Sequence, residues 1–224
     1  MNATGTTLAP QSRSLSVPGV IGLGAVGALA TGTVLILLLH FIPPTDEISP
    51  VRRTISEYGL TSSKGIFDTA VLLVAVGSAV LFAMHLARRA LSAIPAVAGG
   101  LWTLSLLVIV AFPKTDWTVG PSAGGTVHRI ASIIGFVCLP AGVLIASNRL
   151  FAGAPAWRRA ARSLGGVSLL WFVVIVGAIV AALFTGGRWW LMIPLGLIER
   201  LMALTEVLAI ATLAVPLLRR NDLR

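Results

Sequence analysis

Ser56 and Glu57 in TISEYGL, Asp116 in FPKTDW, His128 in TVHR and the adjacent Glu199 and Arg200 in GLIER are the residue types that could do chemistry. Carboxylates with one imidazole can hold a divalent metal that activates water. A carboxylate and a histidine can instead act as general base and acid on a lipid headgroup, and an arginine with hydroxyls can grip a phosphate. In these readings Glu57, Asp116 and His128 are the catalytic candidates. Arg200 is an anion anchor or a partner for Glu199, and Ser56 orients a neighbour by hydrogen bonding. The alternative is a buried polar clasp, in which the same side chains only tie loops to the rest of the fold. The sequence holds no HExxH, no HxxxH and no second histidine at helical spacing from His128, so metal and cofactor are both unassigned. Cys138 stands alone in an apolar run, which excludes an intramolecular disulfide and a CxxC site.

The elements that must position these groups are membrane spans. Of 224 residues 56% are hydrophobic and only 11% charged, with a mean hydropathy of +0.93. Soluble domains carry about a quarter charged residues. A spanning helix needs about 20 mostly apolar residues, and such runs occur at 19–42, 67–87, 93–112, 127–148, 164–185 and 191–218. The expected fold class is therefore an all-α integral membrane protein, a six-transmembrane-helix bundle over residues 18–224 behind a polar, disordered tail at 1–17. The formal charge of +9 comes from basic residues scattered between apolar runs, without the basic stripe that nucleic-acid binding needs. Membrane lipid is the expected partner, nucleic acid is not, and protein partners are unassigned.

Orientation follows from lysine and arginine placement. With both termini inside, ten basic residues lie in cytoplasmic segments and five, Arg52, Arg53, Lys64, Lys114 and Arg188, lie outside. The acids run the other way: six of eight lie at or near the outer side. Fifteen arginines against two lysines, with abundant Ala, Gly and Val, suggest a bacterial source and hence a plasma membrane. Glu199 and Arg200 fall about 12 Å into the membrane at 1.5 Å per residue. Burying either unpaired costs several kcal/mol, so each should face the bundle interior with a partner. His40 belongs to the same outer level, whereas His85 lies near the inner face and Glu206 is too deep to join easily. Asp68 is expected in the first turn of the second span, where an acid suits the helix dipole.

ISEYGL before the second span, FPKTDW after the third with His128 opening the fourth, and GLIER in the sixth together resemble the membrane-protein family catalogued as domain of unknown function 998. The resemblance covers nearly the whole chain after the tail. It implies six helices and no established activity, with a polar pattern on Ser56, Glu57, Gly59, Pro113, Asp116, His128, Glu199 and Arg200. A polytopic protein with an outward-facing polar pocket, binding or processing a lipid or other amphipathic molecule, is the leading expectation. A scaffold or partner subunit whose polar residues lock the fold, or a small transporter using Glu199, Arg200 and Glu206, is the alternative.

Overall fold

Hydropathy and proline placement set the architecture. The structure, a computed structural model, describes residues 16–218; the tail expected at 1–17 lies outside them except for Ser16 and Val17. Helix α1 (Val17–Leu38) opens under the Ser16 hydroxyl, which accepts the Gly19 N–H. It is followed by α2 (Lys64–Ala87), α3 (Ala93–Ala111), α4 (Ala123–Leu150), α5 (Pro155–Thr185), the short α6 (Trp189–Met192), α7 (Leu195–Thr212) and the short α8 (Val215–Leu218). Among the described residues six helices are long and apolar enough to cross a membrane, the last being α7 with α8.

Several boundaries differ from expectation, the last span opening at Leu195 rather than 191, and three of the differences have a direct physical reason. Helix α5 begins at Pro155 rather than 164, because Arg158, Arg159 and Arg162 extend it beyond the apolar run. At 31 residues it is about 46 Å long at 1.5 Å per residue, longer than the hydrocarbon core. The last span is interrupted after Thr212, just before Pro216, whose ring nitrogen cannot donate back along the helix. Helix α2 begins at Lys64, so Asp68 sits beyond the first turn and pairs with the Lys64 ammonium instead of capping.

Successive long helices run antiparallel, and α7 packs on α5 and α4 while α8 closes against α1. The α1–α2 contact is close because of two glycines. A Cβ on Gly32 would lie 2.6 Å from the Ala70 carbonyl, and one on Gly77 would lie 2.7 Å from that of Ala25. The main core, around Leu29, Leu81, Leu139, Val143, Ile210 and Leu213, lies between the helices. A second cluster of Leu39, Tyr58 and Phe67 sits beneath the connection from α1 to α2. That connection, with residues 112–122 and 186–194, occupies one end of the bundle, here called the cap.

Candidate functional site

Pro43, Pro44 and Pro50 keep the first half of the α1–α2 connection out of regular helix. The second half, Ile55–Leu60, winds into a six-residue 3-10 helix of sequence ISEYGL, about two turns and called the ISEYGL turn below. Its N-terminal donors need partners that the short turn cannot supply. The buried Glu199 meets this need, as its Oε2 accepts the Ile55 N–H at 3.3 Å. Glu199 and Arg200 thus serve different partners, and the pairing of one with the other is replaced by two grips on the same loop.

Arg200 makes the larger grip. Its Nε donates to His40 Nε2 at 2.8 Å, and Nη2 donates to the Tyr58 hydroxyl at 2.8 Å. Its Nη1 faces the carbonyls of Arg53 at 2.7 Å and of Pro50 and Gly196 at 3.0 Å. His40 is oriented to receive it: Nδ1 lies 3.0 Å from the Ile36 carbonyl, which can only accept, so the ring proton sits on Nδ1 and Nε2 offers its lone pair. Gly196 permits the approach, since a Cβ there would lie 2.7 Å from the Pro50 carbonyl and 2.8 Å from the Arg53 nitrogen. These acceptors are all neutral groups whose dipoles point at the guanidinium.

A second set of contacts comes from residues 112–128. Lys114 Nζ donates to Glu57 Oε1 at 2.7 Å and to Thr54 Oγ1 at 3.1 Å. Arg53 lies 3.6 Å from the same Glu57 oxygen but is largely exposed, so Lys114 is the stronger partner. His128 is buried in the second turn of α4. Its Nδ1 lies 2.8 Å from the Phe112 carbonyl and its Nε2 lies 3.1 Å from Ser56 Oγ. Phe112 is the C-cap of α3, and the helix ends before Pro113, so its carbonyl is free for the imidazole. The 112–122 segment folds tightly over α4 because Gly125 lacks a side chain: a Cβ would lie 2.5 Å from the Thr115 nitrogen.

Of the residues singled out from sequence, Ser56, Glu57, His128, Glu199 and Arg200 therefore share one cap, all on or against the ISEYGL turn. Asp116 does not join them. Its Oδ1 accepts from the Thr118 N–H at 2.9 Å and the Thr118 hydroxyl at 2.7 Å, closing a turn within its own loop. These two bonds, the side-chain one first, hold its carboxyl below the ordinary value of 3.8. His40 lies where its depth implied. Tyr58, Thr54 and Lys114 are members that sequence reasoning did not select, although Tyr58 is the only tyrosine and Lys114 one of two lysines. Among the described residues no three His, Cys, Asp or Glu side chains gather as metal ligands, so the metal role lacks its donor set.

The other half of the bundle holds isolated polar groups. Ser168 donates to Glu206 Oε1 at 3.1 Å, while Glu206 Oε2 has no partner among the described residues. His85 Nε2 lies 2.7 Å from the Leu213 carbonyl, far along α2 from the cap.

Comparison with known proteins adds one relationship: residues 25–216 match the family described as "Protein of unknown function (DUF998)". No curated protein and no solved structure matches the chain.

Proposed function

Since the chain belongs to the DUF998 family and carries six membrane-grade helices, we propose that it is a polytopic plasma-membrane protein that receives the polar end of an amphipathic molecule at its cap. One observation carries this reading: Ser56, Glu57 and Lys114 from two connections and His128 from the start of α4 converge on one turn that Arg200 and Glu199 hold in place. A polar layer at the end of six membrane-grade helices suits contact with the headgroups of an adjacent lipid leaflet. Trp117, Val119, Phe41 and Phe184 stand exposed at the same end, which suits a rim at the membrane boundary. The arginine-rich connections at the opposite end support a reading in which that end and both termini face the cytoplasm of a bacterial cell.

The test is a photoactivatable phosphatidylglycerol reconstituted with the full chain. Crosslinks should map to residues 54–60 and 112–118 and fall about tenfold in Lys114→Ala, in line with the loss of one charge-assisted contact. Crosslinks confined to the long helices overturn the reading. A second reading, a lock without a ligand, is favoured by the complete engagement of Arg200. In that case Lys114→Ala lowers thermal stability and leaves lipid crosslinking unchanged.

A further inference from the structure

Hydroxyls inside the long helices mostly bond the carbonyl one turn back, as Thr33, Thr69, Thr103 and Ser132 do. Ser56 differs. The bond its hydroxyl makes is to an imidazole 72 residues further along the chain. The direction of that bond is fixed from the other side of the ring. The Phe112 carbonyl can only accept, so the singly protonated ring carries its hydrogen on Nδ1 and turns the Nε2 lone pair toward Ser56. The hydroxyl must then donate. A hydroxyl donating to an imidazole, whose far nitrogen is held by a third group, is the arrangement that activates a nucleophile. A backbone carbonyl here takes the orienting place that a carboxylate holds in the Ser-His-Asp triad.

We propose that Ser56 and His128 form a nucleophile and general-base pair that cleaves an acyl ester carried by an amphipathic molecule. This rests on the reading of the cap given above and adds the reaction. Ser56 Oγ bonds to the ester carbonyl carbon as its proton passes to His128 Nε2. The resulting intermediate collapses, the carbon–alkoxy bond breaks, and the alcohol leaves with that proton. Water then attacks the acyl-serine and gives a proton to His128. Finally the Oγ–carbon bond breaks, Ser56 regains its proton, and a carboxylic acid departs.

Three features of the site suit this chemistry. Ser56 is only partly buried while His128 is buried, so the nucleophile has more access to a substrate than the base has to water. The turn is held by Glu199 and Arg200, which limits drift of Oγ. Lys114 bonds Thr54 and Glu57 of the same turn, and an ammonium has three hydrogens, which leaves one for a developing oxyanion.

The experiment uses the full chain in nanodiscs and a fluorophosphonate probe, with peptide mapping by mass spectrometry. Wild type should be labelled at Ser56, Ser56→Ala should not, and His128→Gln should label at least about 100-fold more slowly, the scale of a lost general base. Because Ser56→Ala could fold poorly, Ser56→Cys supplies a second arm. Its thiol should be alkylated by iodoacetamide at a rate that drops about tenfold or more on adding His128→Gln. Folded wild type that takes no label at Ser56, or labelling and alkylation indifferent to His128, overturns the proposal. Lipid crosslinking at the cap without labelling defeats the reaction alone. Labelling without lipid crosslinking defeats the amphiphile reading and leaves a water-soluble ester as substrate, which release of p-nitrophenol from p-nitrophenyl butyrate then reads directly.

Discussion

The cap and the opposite half of the bundle both bury polar side chains, yet they satisfy them differently. At the cap Arg200 alone reaches His40, Tyr58 and three carbonyls, and Glu57, Lys114, Ser56 and His128 are each bonded. In the other half, among the described residues, Glu206 has one bond, to Ser168, and one oxygen without a partner. The difference lies in the backbone. Helical carbonyls are already used within the helix, whereas Pro50, Arg53 and Phe112 sit where the helix has stopped and their carbonyls are free. A charged group in a helical bundle is therefore best accommodated beside irregular chain. The cap supplies that chain at several points, whereas in the other half the break after Thr212 serves His85 and leaves Glu206 inside continuous helix.

The sharpest way to break this contrast is Arg200→Met. It strands the Tyr58 hydroxyl, the His40 ring and the carbonyls it served, and should cost about 3 kcal/mol or more, seen as a large fall in thermal midpoint and yield. Arg200→Lys should recover less than half, because a point ammonium cannot span acceptors set in different directions. Gly196→Ala comes next at about 2 kcal/mol, since its methyl must push back the backbone of Pro50 and Arg53. A Gly196→Ala protein as stable as wild type would show the loop to be free to move. Glu57→Gln removes the ion pair with Lys114 and should cost about 1 kcal/mol, with the loss shrinking in high salt.

Glu206→Gln tests the other half. It retains an oxygen for Ser168, so the expected change is under about 1 kcal/mol. A loss as large as that of Arg200→Met would erase the distinction between the two regions. The smallest effect belongs to Asp116→Asn, on a carboxylate outside the cluster. Because folding depresses its pKa, any stability it adds is present above the ordinary value of 3.8 and is lost as pH falls through the lower folded value. Between pH 5 and 8 the difference in midpoint from wild type should therefore be flat.

The long helices are readable from the chain because apolar runs of spanning length have few alternatives in a bilayer. Their ends are less so. The early start of α5 is hidden by arginines that a helix tolerates once it leaves the hydrocarbon, and the interruption near Pro216 is masked by apolar neighbours. Within the cap, the cost of burying charge points correctly to Glu199 and Arg200 as interior groups with partners. It does not identify the partners, because a free carbonyl such as that of Phe112 exists only once the fold decides where α3 stops. Asp116 illustrates the limit. An acid followed by a threonine two residues on can serve a site or close its own turn, and here the local bonds win.

The bond from Arg200 to the carbonyls of Pro50 and Arg53 joins the last long helix to the first connection. Ribosomal synthesis delivers these pieces in the opposite order from their dependence on one another. Until Arg200 arrives, the Pro50 and Arg53 carbonyls ahead of the ISEYGL segment have water as their partner. The connection can therefore close only once the helix that carries Arg200 has been inserted beside it.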